Sequence, residues 1–198
     1  MKKIELISIL LTVAMAATMT LIGFSPAIAQ PSVVWVDNDY CDGCLNDGHT
    51  WGYDAFAKIQ HGINAVASPG TVLVAAGKYF ATYDENITLK PGVTLQGSGA
   101  DITTIAATGR RNVYIVIGVN NSTIDGFIIS GGWRGISCDS ASPTVANCFF
   151  TNNYMAIVCS NSSSPKIAKN TFFNNGSKGV DIYSSSPIIN NNGNYSAK

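Results

Sequence analysis

Charge is scarce in this 198-residue chain: 12% of its residues are Asp, Glu, Lys or Arg, with 12 basic against 12 acidic. So dilute and balanced a charge excludes long-range steering toward nucleic acid or an anionic lipid surface, which needs a field of one sign. Histidine occurs only at His49 and His61, and arginine only at Arg110, Arg111 and Arg134. The side chains that most often carry protons or clamp anions are therefore almost missing. Five cysteines, Cys41, Cys44, Cys138, Cys148 and Cys159, are too few for a disulfide-built scaffold, and their number is odd.

The one long apolar run is at the start. Lys2 and Lys3 precede residues 4–23, and Ala27-Ile28-Ala29 has the small-x-small pattern of a signal-peptidase site. Residues 1–29 are therefore expected to be a signal peptide, cut before Gln30. Thr12, Thr18 and Thr20 dilute the run against the competing reading of a retained anchor, so no stable membrane insertion is expected after cleavage. The destination is secreted, periplasmic or cell-surface. Residues 30–198 then make one domain by length. Their surface must be built largely from Ser, Asn, Thr and Gly, which suits polyol ligands.

Residues 30–53 hold a short β-type run, Val33-Val34-Trp35-Val36, and a turn-rich loop. The only helical pattern spans residues 54–67: Asp54 caps it, Phe56, Ile59, Ile63 and Val66 form one stripe, and Ser68-Pro69-Gly70 stops it. Everything after reads as four- or five-residue strands rich in β-branched residues, separated by Gly, Pro, Asn or Ser.

Those strands repeat. Ser142-Pro143, Ser164-Pro165 and Ser186-Pro187 recur every 22 residues, and Ile124, Val145, Ile167 and Ile189 follow at steps of 21, 22 and 22. Gly135-Ile136 aligns with Ala156-Ile157 and Gly179-Val180, Phe149-Phe150 with Phe172-Phe173, Asn147 with Asn170, and upstream Leu95-Gln96-Gly97 with Ile124-Asp125-Gly126. A period in this range made of strands and polar corners is the signature of a parallel β-solenoid, where each residue stacks about 4.8 Å from its counterpart in the next coil. Proline fixes φ at each corner, serines satisfy free backbone groups there, and asparagines are positioned to form amide ladders. Residues 71–198 amount to five to six coils.

The succession "VDND…GHTWGYDAFAKIQHGINAVASPGTVLVAAGKY…ENITLKPGVTLQGSGADITTI" over residues 36–105 resembles the N-terminal part of exported right-handed parallel β-helix proteins of the pectin-lyase-like superfamily. "STIDGFIISGG" and "SSPKIAKNTFFNNGSKGVDIYSSS" resemble their β-helix repeats. The resemblance covers nearly all of the mature chain. It implies an all-β right-handed solenoid of 21–23-residue coils whose first coil is capped by the helix. It is not specific for activity, since members include pectate and alginate lyases, polygalacturonases, epimerases, copper-delivery accessory proteins and surface proteins without known chemistry. The sequence stops partway through the repeat begun at Ser186. That reads as a fragment lacking C-terminal coils or, failing that, a last coil covered by another chain.

Chemistry is thin. A pectate-type lyase needs a base and calcium-holding carboxylates, yet beyond Asp101 the acids are Asp125, Asp139 and Asp181, with no pair at one coil position, and Asp125 reads as a turn residue. Arg134 is the one basic catalytic candidate. Aspartate sets of the hydrolase kind are absent and both histidines precede the solenoid. The series Trp133, Tyr154, Ser177 beside Arg134, Met155, Lys178 is more suggestive: two aromatics one coil apart, flanked by cations, make a surface where sugar rings stack. The competing reading is an aromatic ladder that shields a corner. Cys138 and Cys159 fall one coil apart with parallel Cβ vectors, which favours buried free thiols over a bridge. Export argues for a local Cys41–Cys44 disulfide, with a metal site using His49 or His61 as the alternative. Asp37, Asp39, Asp42, Asn46 and Asp47 are expected to form turns; Ca²⁺ binding by these aspartates is the other reading, although the spacing departs from the calcium-loop pattern. The expectation is an exported polysaccharide-binding module with no complete catalytic site and no required cofactor. The alternatives are a truncated polysaccharide lyase or glycoside hydrolase acting on uronate glycans, and a structural or adhesive surface protein.

Overall fold

A computed structural model describes residues 29–82, 84–108 and 112–195. Apart from Ala29, the segment read as a signal peptide lies outside them. The chain winds as a right-handed parallel β-helix of about seven turns with one short helix. Every strand pairing is parallel, and the strands fall into an eight-stranded, a six-stranded and a five-stranded sheet.

Like stacks on like because each turn repeats the residue type below it. Val34, Val72, Leu95, Ile124, Val145, Ile167 and Ile189 pair in unbroken register along the eight-stranded sheet. The first six are 0% exposed, while Ile189 is 44% exposed. A second inward column in the six-stranded sheet runs Tyr79, Ile105, Ile129, Phe150, Phe172, with the last two rings stacked at 5.3 Å. Buried side chains of this size contribute roughly 1.5–3 kcal/mol each, and the inward residues of the five-stranded sheet, Val116, Ile136 and Ile157, complete the core between the two columns. From Thr71, five complete coils and part of a sixth are present, in line with the repeat count.

The proline corners stack as the 22-residue step requires. Lys166 N–H donates to Pro143 O and Ile188 N–H to Pro165 O, while the Ser142 hydroxyl accepts from Ser164 N–H at 2.9 Å. Gly118 lies directly beneath: a Cβ there would come within 2.7 Å of Pro143 Cγ, so that corner admits only glycine without displacement.

Two alignments require correction. Phe150 pairs with Phe172 and Phe149 with Thr171, so the step is 22 rather than the 23 that superimposes the two Phe-Phe pairs. For the same reason Asn147 does not stack on Asn170. Instead Asn147 donates to Asp125, and Asn170 occupies the level of Cys148 and Asn192. The step of 23 arises one corner later, where Asn153 matches Asn175 but Met155 matches Lys178, an extra residue being accommodated at Gly176-Ser177.

The helix is also shorter than the pattern suggests, running Ile59–Ala65 rather than over 54–67. Ala55 and Phe56 are drawn into strand pairing with Trp35 and Val36. Asp54 therefore accepts from Thr50 N–H in the preceding loop rather than capping, and Lys58 stands at the cap without a side-chain bond. The helix nevertheless closes the first coil. At Gly62 a Cβ would come within 2.8 Å of Val36 and 3.2 Å of Val34 and Val72. Gln60 acts as a surrogate strand, accepting from Thr88 N–H at 2.8 Å and donating to Thr88 O at 3.3 Å, which occupies backbone groups that the sheet edge leaves open.

Candidate functional site: the outer face of the five-stranded sheet

The five-stranded sheet contains Tyr114–Ile117, Arg134–Asp139, Met155–Ser160 and Lys178–Ile182 in adjacent positions. Tyr114, Arg134, Met155 and Lys178 form one outward row, and Ile117, Ser137, Val158 and Asp181 form another. Trp133 and Tyr154 enter their strands at the margin of the first row, where Tyr154 N–H bonds Gly132 O and Met155 N–H bonds Trp133 O. Their rings lie face to face at 4.1 Å with 10° between planes. The next position holds Gly176-Ser177, with only glycine and serine to follow the column, and Tyr154 is left 46% exposed. One aromatic face therefore meets solvent while the other is consumed by the stack.

The cations expected beside this pair are present but differently employed. Arg134 is half-buried with its Cζ 4.7 Å from the Tyr114 ring centroid, the geometry of a cation–π contact, and Nη1 lies 3.4 Å from Ser137 Oγ. Its buried Nε has no partner, and among the described residues no carboxylate pairs with it. Lys178 forms an ion pair with Asp181 and lies 5.6 Å from the Tyr183 ring. Asp181 is 3% exposed. Burial alone would raise its carboxyl, but hydrogen bonds from Lys178 and Tyr183, with the Lys178 charge, hold it below the usual carboxylate range. The same carboxylate pushes the Tyr183 hydroxyl and the Lys178 ammonium upward. A hollow of about 600 Å³ between Asn86, Asn112, Tyr114 and Trp133 adjoins the stack.

Tyr114, Asp181, Tyr183 and Asn112 are the members that sequence reasoning missed. Asp181 was legible in principle: Val180 aligns with Ile157, so its neighbour must point outward beside Val158. Tyr114 was hidden by the irregular upstream step. Asp139 stands on the same sheet two coils from Asp181 and accepts from Asn161 at 2.6 Å, so among the described residues no two carboxylates of this face occupy neighbouring coils as a pair across a scissile bond.

The remaining candidates do not join this face. Asp37 accepts from Asp39 N–H at 3.0 Å, and Asp47 accepts from the Tyr40 hydroxyl at 3.1 Å, with Tyr40 pushed up to about 12 by burial and by Asp47. Asp42 and Asp39 are exposed. Among the described residues no three His, Cys, Asp or Glu side chains gather as a metal site, since the aspartates of this loop serve turns and local hydrogen bonds. Cys41 and Cys44 are bonded, their Cα atoms 5.3 Å apart. His49 stacks on Trp35 at 3.8 Å and faces Asp54 at 3.5 Å. Cys138, Cys148 and Cys159 are free and buried, Cys138 and Cys159 directly paired across coils. Burial pushes the Cys148 thiol up to about 12. A second hollow of about 570 Å³ lies beside the capping helix, with its lysines engaged: Lys58 by Glu85 and Lys78 over Phe80.

Comparison with known proteins agrees with this architecture. The model of the family described as "Right handed beta helix region" matches residues 77–195. A cell surface glycoprotein of Methanothermus fervidus is 35% identical over 98 residues, which are 50% of this chain and 15% of that protein. Among solved structures, a pectin methylesterase in complex with a hexasaccharide superimposes with a TM-score of 0.53 at 10% identity, covering 83% of this chain and 66% of that one. ORF18 of Geobacillus virus E2 superimposes at 0.51 and 18% identity, covering 68% and 37%. At these identities the two structures show the fold alone.

Proposed function

This chain belongs to the right-handed β-helix family, and from that premise we propose that it is an exported or cell-surface module binding polysaccharide on the outer face of its five-stranded sheet. The observation that carries this reading is the Trp133–Tyr154 stack, open on one side and bordered by Arg134, a half-buried cation with no carboxylate partner among the described residues. An aromatic face takes the apolar face of a sugar ring, and a guanidinium takes hydroxyl or carboxylate oxygens. Lys178, already paired with Asp181, sets one border of the strip. The regular rise of the coils lets a linear glycan meet successive strands at a constant spacing. A cell surface relative supports the location.

Among the described residues, the lyase alternative has only Arg134 to take a proton on this face, without a carboxylate pair beside it. The two readings separate in one experiment. The mature chain is incubated with polygalacturonate or alginate, with and without Ca²⁺. Retention on immobilised glycan without new ultraviolet absorbance from unsaturated uronate is expected; accumulation of that absorbance would replace binding by lyase chemistry.

A further inference from the structure

The corner leading from the five-stranded to the eight-stranded sheet carries a motif that sugar binding does not use. Six Asn-x-Ser/Thr triplets, with x other than proline, begin at Asn86, Asn120, Asn121, Asn161, Asn175 and Asn194. This is the acceptor pattern for N-linked glycosylation. The first five lie wholly within the described residues, and the coil sorts them by what their amides already do.

Asn175 is committed to the ladder. Its Oδ1 accepts from Asn153 N–H at 3.1 Å and from Asn153 Nδ2 at 3.2 Å, and its own Nδ2 donates to Phe150 O at 3.1 Å. A sugar on that nitrogen would have to displace the next coil. Asn120 Oδ1 accepts from Ser142 N–H at 2.8 Å, and Asn86 is half-buried in the hollow beside Trp133. Asn121 and Asn161 differ. Both are exposed, both take positive φ, 58° and 54°, and both stand on the same corner, two coils apart, or roughly 10 Å along the axis. Asn121 makes no side-chain hydrogen bond among the described residues. Asn161 spends one of its two amide protons on exposed Asp139 and keeps the other.

We propose that this corner is glycosylated, at Asn121 and Asn161, by an oligosaccharyltransferase using a lipid-linked oligosaccharide. Asparagine Nδ2 attacks the anomeric carbon, a C–N bond forms as the C–O bond to the lipid phosphate breaks, the phosphate leaves with the bonding pair, and the Nδ2 proton passes to a base of the transferase. The Ser163 hydroxyl that completes the second triplet is 0% exposed and bonded to Ser185, so transfer precedes closure of the coils. Folding then tolerates glycans at the two corner positions and rejects one at Asn175. The glycans would project away from the aromatic face and leave it open.

The inference rests on export, and the test keeps the two apart. The chain is isolated by fractionation from the cells that produce it, and its peptides are mapped by mass spectrometry with electron-transfer fragmentation. Expected is a saccharide mass on Asn121, Asn161 or both in the exported, folded protein, with Asn175 bare. Thr123→Ala should abolish the increment at Asn121, and Ser163→Ala that at Asn161, although each acceptor is retained. Exported protein bare at both positions, or modified at Asn175, would overturn the inference alone. Recovery only from the cytoplasm would overturn it together with the export reading.

Discussion

Asn192 Oδ1 accepts two hydrogen bonds from Asn170, one from its backbone N–H at 2.7 Å and one from its Nδ2 at 3.1 Å. Asn170 repeats the gesture one coil earlier, accepting from Cys148 N–H at 2.9 Å and donating to Val145 O at 2.9 Å. Asn153 does the same at the other corner with Gly132 and Ile129. These side chains satisfy backbone groups that the bends take out of the sheets.

Asn170→Ala is therefore expected to be costly. It leaves the buried Cys148 N–H without its partner, at about 1–3 kcal/mol. Asn147→Gly, which removes an amide that reaches only the surface carboxylate of Asp125 and keeps the positive φ of 51° unstrained, should change stability by less than about 0.5 kcal/mol. Urea unfolding of the two variants tests the contrast; equal midpoints would mean that the ladder contributes nothing.

The aliphatic column makes a second contrast. Ile124 is fully enclosed between Leu95 and Val145, and Ile124→Ala should cost about 2–5 kcal/mol through lost burial and a cavity. Ile189, chemically identical and in the same column, is 44% exposed, and its truncation should cost well under half as much. Chemical unfolding followed by tryptophan fluorescence measures both.

Asp181 gives the protein an acid-sensitive edge. Its folded-state carboxyl lies below the unfolded value, so the ionised form adds stability that is fully present above the ordinary carboxylate range near pH 4. That contribution fades as pH falls through the range and is gone once pH drops below the depressed folded value. Asp181→Asn should therefore be less stable than the parent at neutral pH and converge with it in acid. A stability difference independent of pH between 6 and 2 would contradict this assignment.

The solenoid itself was legible because its stacking rule is written in single residues: Ile124, Val145 and Ile167 announce their contact by spacing alone, and Ser142, Ser164 and Ser186 do the same for the corner. Register at Phe149-Phe150 was not legible. Asn147-Cys148-Phe149-Phe150 matches Asn170-Thr171-Phe172-Phe173 better by letter at 23 than at 22, and only backbone pairing decides. The helix start was misread because Asp54 looks like a cap, while the demand of Trp35 and Val36 for a strand neighbour acts at long range. The candidate face was half legible. Trp133 and Tyr154 were found by periodicity; Asp181 follows from the Ile157–Val180 alignment by alternation, whereas Tyr114 joins them through an irregular step that no local pattern displays.

Glycan binding at this face depends most on the stacked Trp133–Tyr154 pair, and affinity electrophoresis tests it. Gels containing a polysaccharide that retards the parent chain are run with Trp133→Ala, Tyr154→Ala and, as an exposed aromatic elsewhere, Phe80→Ala. Loss of at least tenfold in affinity, about 1.4 kcal/mol, is expected for the first two and no change for Phe80→Ala. Retardation of Trp133→Ala and Tyr154→Ala equal to that of the parent would contradict glycan binding at this face.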